Sequence, residues 1–198
     1  MLQLPALLYS YDALEPFLSK EQVRVHYEEH HAKYYTTLNA LIGSVNELSL
    51  ESIVMQFDTR NKVLYNNAGQ AYNHDLFWQC LSPNGGGQPS GTLLEAINTR
   101  FGNLETFKRN FIFAAANHFG SGWCWLTSDK SGRIDIQTTE NAGCLLSDKV
   151  FPLMTLDLWE HAFYISYRAD KQKYFQGFFD KINWHFIERR FQRGVNNQ

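Results

Sequence analysis

The sequence predicts an α+β fold: an N-terminal antiparallel helical hairpin joined to a C-terminal domain with a three-stranded antiparallel sheet flanked by helices. Three observations carry this. Two long stretches with helical spacing of apolar residues precede residue 83. A segment rich in Gly, Pro and Ser, "SPNGGGQPSG", then interrupts the chain. Beyond it, helical patterns give way to aromatic and β-branched runs around a glycine turn, and helical spacing returns at the end. The predicted division is a helical domain over 1–83, a linker over 84–91 and an α+β domain over 92–198.

The elements follow in order. "SKEQVRVHYEEHHAKYYTTLNALIG" has a capping-box pattern in Ser19 and Gln22, and Gly43 is suited to end the helix. Val23, Tyr27, His30, Tyr34, Leu38 and Leu41 recur at helical spacing, and His26, His30 and Tyr34 are expected on one face. A second helix is predicted from Leu64 to Leu81. After the linker, "TLLEAINTRFG" and "NLETFKRNFIFAAANHF" read as two helices broken at Gly102. "GWCWLTSD", the turn "KSG" and "RIDIQTT" predict a β-hairpin, and "VFPLMTLD" a third strand ending at Asp157. From Lys171 to Arg193 a single helix is expected, with Tyr174, Phe178, Ile182, Phe186 and Arg189 on one side.

Length and composition narrow the classes of function. At 198 residues, 44% hydrophobic and 19% charged, the chain can bury a core without disulfide staples. Its formal net charge of −2 gives no strong attraction to nucleic acid or to an anionic membrane. Residues 1–90 hold 5 basic and 9 acidic side chains, so the positive excess lies in the second half. Three scattered cysteines, Cys80, Cys124 and Cys144, make neither a disulfide framework nor a thiolate metal site, and point to a reducing compartment. No apolar run approaches the ~20 residues of a membrane-spanning helix. A cytoplasmic protein, or an organellar one freed of its transit peptide, is the expectation.

The stretch "LDLWEHAFY" places Asp157 and His161 four residues apart among residues that read as core. A buried carboxylate must be protonated, ion-paired or bound to a cation. His26 and His30 repeat the spacing, as do Gln70 and His74, while His31, His118 and His185 are read as structural or surface histidines. Imidazole and carboxylate donors in an aromatic setting suit iron or manganese and disfavour thiolate-selected ions. A mononuclear iron oxygenase using two histidines and a carboxylate, or a non-catalytic assembly module, are the alternatives.

"AGQAYNHDLFW", "FGSGWCWL" and "DLWEHAFYISYR" resemble the iron/manganese superoxide dismutases, and the resemblance runs from "LPAL" to "INWHF". It implies metal ligands at His26, His74, Asp157 and His161, with a solvent molecule as fifth ligand. It also implies that His30, Tyr34 and Trp123 line the substrate approach and that Gln70 hydrogen-bonds the bound solvent. Glu160 is implied to reach His161 of the partner subunit, and Tyr164 to meet His30 of the partner subunit, in a homodimer. The implied cofactor is one iron per subunit, with manganese as the alternative, because iron-type members carry the amide on the second helix, as Gln70 is here. Manganese-type members supply it from the segment matching "NAG", Asn141 to Gly143. The implied reaction converts two superoxide anions and two protons to dioxygen and hydrogen peroxide, with Arg168 or Lys108 adding local positive potential. Two departures stand out: Glu28 and Glu29 replace a small residue and a lysine, which weakens steering past the first helix, and "HDLFW" replaces "HTFYW", a matter of packing.

Overall fold

A continuous helical run carries the chain from Lys20 to Ile42 in the computed structural model, which describes residues 1–43, 49–56, 61–147 and 149–196. The run comprises α1 (Lys20–Val25), a π-helical segment (His26–His31) and α2 (Ala32–Ile42). Ser19 Oγ accepts from Gln22 N at 3.2 Å, and Gly43, at φ 61°, ends the run in a conformation open to glycine. Only half of the expected capping box forms. The Gln22 side chain turns away to His161 O and Ile165 N, while Ser19 N donates to Ser166 Oγ instead.

A short helix absent from the sequence reading, α3 (Leu50–Gln56), precedes α4 (Lys62–Gln79), which packs against both α2 and α3. Asn61 caps α4 through Leu64 N at 3.1 Å. The helix lacks an amphipathic stripe because it is buried on nearly all sides from Ala68 to Trp78. Gly69 is required there: a Cβ would stand 2.5 Å from the Ala142 carbonyl oxygen.

Past Ser90 come α5 (Gly91–Phe101) and α6 (Leu104–Asn117), broken at Gly102 as expected. Strands β1 (Gly122–Ser128), β2 (Ile134–Glu140) and β3 (Phe151–Asp157) form an antiparallel sheet in the order β2-β1-β3. The central strand is buried at every residue, since α6 covers the sheet and β2 and β3 flank it. The β1–β3 register slips between Leu126 and Thr127, at Pro152, whose ring nitrogen has no hydrogen to give the ladder.

A 3-10 turn (Glu160–Ala162) and α7 (Tyr164–Tyr167) follow β3. The single helix expected over 171–193 is two: α8 (Lys171–Phe178), extended by a 3-10 turn (Phe179–Lys181), and α9 (Trp184–Asn196). The break is tertiary in origin. Lys181 O and Ile182 O accept from Ser82 N and Gly86 N at 2.8 and 2.9 Å, and Asn183 N donates to Cys80 O at 2.7 Å. Three backbone bonds to the mid-chain segment hold Ile182 extended, and Asn183 Oδ1 restarts the helix at Phe186 N. The periodicity shifts with it: Ile187 and Phe191 are buried, whereas Arg189 is exposed.

An aromatic core ties the halves together. Phe178 of α8 stacks on Phe77 of α4 at 6.4 Å and on Phe111 of α6 at 6.3 Å, all three fully buried. Each such side chain contributes on the order of 1.5–3 kcal/mol through apolar burial.

Candidate metal centre

The π segment determines which side chains of the first helical run turn inward. Ala32 N reaches back five residues to Tyr27 O. In an ideal α-helix a five-residue step would carry His31 about 140° away from His26; the wider turn buries both. His26 is 0% exposed, and His30 is half-buried, its ring stacked on His161 at 4.2 Å. On α4, the ring nitrogen Nδ1 of His74 lies 2.7 Å from Gln70 O, so it donates there and leaves Nε2 as the free lone pair. Asp157 ends β3. One carboxylate oxygen, Oδ1, accepts from Trp159 N at 2.9 Å, and Tyr174 hydroxyl donates to its carbonyl at 3.0 Å.

The other oxygen, Asp157 Oδ2, is the meeting point. It lies 3.2 Å from His26 Nε2, 3.2 Å from His161 Nε2 and 3.5 Å from His74 Nε2. All four ligand atoms fall within 4.8 Å of one another. Donors sharing one ion through bonds of about 2 Å stand roughly 3 Å apart or a little more. Both nitrogens of His26 and Nε2 of His74 are buried without a hydrogen-bond partner, although Asp157 is close. Three imidazoles and one carboxylate, with nitrogens of His26 and His74 left unpartnered in a buried setting, fit a divalent or trivalent ion of borderline hardness.

Electrostatics point the same way. Burial pushes the Asp157 carboxyl up, but His161 and His26 outweigh it and hold the group well below the usual carboxylate range. Burial lowers His26 to about 4 and carries His74 well below its ordinary value. Two of the candidate ligands, His26 and His74, are therefore neutral imidazoles beside an anionic Asp157, a form in which these three bind a metal without first losing protons.

Gln70 bridges two walls of the site. Its Oε1 accepts from Trp123 Nε1 at 3.0 Å and its Nε2 donates to the Tyr34 hydroxyl at 3.3 Å. Trp123 and Tyr34 both lie against the His74 ring, at 4.9 and 5.2 Å. Burial, then the Asp157 charge, raises Tyr34 to about 12, so its hydroxyl keeps its proton at neutral pH.

A family profile described as "Iron/manganese superoxide dismutases, alpha-hairpin domain" matches residues 1–82, and one described as "Iron/manganese superoxide dismutases, C-terminal domain" matches residues 89–190. The chain belongs to this family. The iron superoxide dismutase of Coxiella burnetii is 43% identical over 192 residues, covering 96% of this chain and 98% of that protein. That of Legionella pneumophila is 45% identical over 185 residues, 92% of this chain and 95% of that protein. That of Escherichia coli K12 is 44% identical over 189 residues, 94% of this chain and 96% of that protein.

Within this dismutase fold the structure brings His26, His74, Asp157 and His161 together, with His30, Tyr34, Gln70 and Trp123 around them. Glu160 and Tyr164 stay outside the cluster, exposed on the surface. Lys108 pairs with Glu105 at 3.4 Å and lies over the Phe179 ring, and the exposed Arg168 bonds to Tyr164 O. No described helix is long and apolar enough to cross a membrane.

Sequence reasoning does not single out Gln22 as a support of the site. Gln22, fully buried, donates to His161 O at 2.6 Å and accepts from Ile165 N at 3.0 Å, tying the turn that carries His161 to the first helix. Its signal was a polar residue next to Val23 on the apolar face. His31, expected to be structural or at the surface, is structural: it is 1% exposed and stacks on His74.

Proposed function

We propose that this chain is an iron superoxide dismutase whose metal is held by His26, His74, Asp157 and His161. The observation that carries the reading is the convergence of four candidate ligand atoms, drawn from both halves of the chain, within 4.8 Å in a buried cluster of a family member. Bound iron supplies one-electron exchange in both directions, so that one superoxide leaves as dioxygen and a second, with two protons, as hydrogen peroxide. Zinc has no accessible redox change and does not suit that task.

The chain's own groups perform the rest. Asp157 supplies a single negative charge to the ligand set and so favours the higher oxidation state. Gln70, fixed between Trp123 Nε1 and the Tyr34 hydroxyl, presents an amide of constant orientation to the site and tunes how readily a proton is held there. Tyr34 keeps its hydroxyl proton at neutral pH and serves as a donor. His30, lowered to about 4 by burial and then by His161, stays neutral, so it can pass a proton between water and the interior. Trp123, Trp159 and Phe77 exclude solvent around the imidazoles.

Glu160 and Tyr164 belong to the interface of a homodimer; what supports this is their exposure immediately beside the ligand His161. The three free thiols suit the cytoplasm, where the enzyme has an antioxidant role. The division into 1–83, a linker over 84–91 and 92–198 goes with the same reading; Asn197 and Gln198 lie outside the described residues.

The test is elemental analysis of purified protein paired with a superoxide-removal assay, on wild type and His161→Ala. Wild type is expected to hold about one iron per chain and to remove superoxide, and the variant to lose both. Full activity in metal-free protein would end the reading.

A further inference from the structure

The His74 ring has near-parallel neighbours in two rings, His161 at 5.5 Å and His31 at 5.4 Å, the latter inclined by only 19°. His161 is a ligand in the reading above; His31 is not among the four converging groups. Yet His31 is buried as deeply as they are, and a carboxylate stands within ion-pair distance of its ring. Its Nε2 lies 3.0 Å from Asp75 Oδ1, and Asp75 Oδ2 accepts from the Tyr35 hydroxyl. The Tyr35 and Tyr27 rings meet it edge-on at 5.4 and 5.7 Å. Asp75 follows His74 directly in the chain, so the carboxylate that holds His31 is anchored one residue from the ring that His31 contacts.

A ligand imidazole needs two constraints to aim its lone pair. The bond between His74 Nδ1 and Gln70 O fixes one edge of the ring. Swinging about that edge would carry Nε2 off target, and Trp123, Tyr34 and His26 meet the ring only at an angle, tilted or edge-on. A flat partner against the face blocks the swing, provided the partner is itself immobile. We propose that Asp75, Tyr35 and His31 form a positioning unit that sets the plane of the His74 imidazole, and through it the affinity and electronic environment of the iron, without touching the ion. This rests on the assignment of His74 as a ligand.

The test uses the iron-loaded full chain, with iron affinity by chelator competition and the ferric electron paramagnetic resonance spectrum as readouts. In His31→Ala and Asp75→Ala the affinity is expected to fall by about 10–100-fold, the range typical for partners that orient a ligand. The ferric line shape should change in both. Tyr35→Phe keeps the ring and removes only the hydroxyl that holds Asp75, and should shift the line shape the same way with helix content unchanged; it decides the matter if the alanine variants do not fold. Wild-type affinity and spectrum in Asp75→Ala, or in Tyr35→Phe should the alanine variants fail to fold, would overturn the proposal even if the melting temperature dropped. His74→Ala separates the two readings. Loss of iron there with no effect from Asp75 sinks the positioning unit alone, whereas retained iron in His74→Ala sinks the ligand assignment beneath it.

Discussion

Gln70 spends both ends of its amide, accepting from Trp123 and donating to Tyr34, which a carboxamide does at any pH and an ionised carboxylate cannot. Gln70→Glu keeps the acceptor but replaces the donor with a second acceptor facing the Tyr34 hydroxyl, and it brings a second negative charge near Asp157. Turnover is expected to fall by about 10–100-fold with the metal retained. Superoxide removal per bound iron, measured beside the midpoint potential, checks this; unchanged values would remove Gln70 from the redox step. The residue types at the site could be read from the chain because imidazole, carboxylate and amide are rare on apolar faces and recur there at one-turn spacing. His31 and Asp75 could not, since a lone histidine and an acid beside a ligand look the same whether they face solvent or each other.

At the level of elements, two local irregularities do the positioning. The π segment lets His26 and His31 face inward together, which regular α-helical spacing forbids, and nothing in "HYEEHH" announces a wider turn. The turn after β3 is held on the first helix by Gln22. Gln22→Ala leaves His161 O and Ile165 N without those bonds, at an expected cost of about 1–3 kcal/mol for groups shielded from water. Urea unfolding should register that loss, and iron should dissociate faster because His161 is less firmly held. Wild-type stability and release rate together would show that the two bonds are dispensable. The broken C-terminal helix has the same origin: backbone bonds from Cys80, Ser82 and Gly86 outweigh the helical preference of residues 181–183.

Across the whole molecule, two of the candidate ligands come from the first half of the chain and two from the second, so an ion held by all four would clamp the halves together. Binding to the native state alone stabilises it by mass action. Metal-free protein exposes the other side of this arrangement. With His26 lowered from 6.5 to about 4, the unfolded chain takes up a proton that the folded chain refuses, so stability is complete above about pH 6.5 and declines as pH falls toward 4. The loss is on the order of 3 kcal/mol from this fully buried group. His74 and Asp157, both lowered, act in the same direction, with the Asp157 contribution extending to lower pH. Denaturant titrations of the metal-free protein across pH 4–8 should show that decline, and loaded protein should release iron over the same interval; a flat profile would contradict neutral buried imidazoles.

By itself the sequence determined the fold class, the helix ends at Gly43 and Gly102, the hairpin, the third strand ending at Asp157 and the kinds of side chain at the site. Those are short-range matters of periodicity, turn chemistry and residue type, which a chain carries in its local order. Tertiary structure decided the widened turn around His26, the break at Ile182, the diversion of Gln22 to the turn at His161 and the placing of Asp75 beside His31. Each depends on a partner far along the chain or on the cost of leaving a buried polar group unpaired, and that cost exists only once the chain has closed around it.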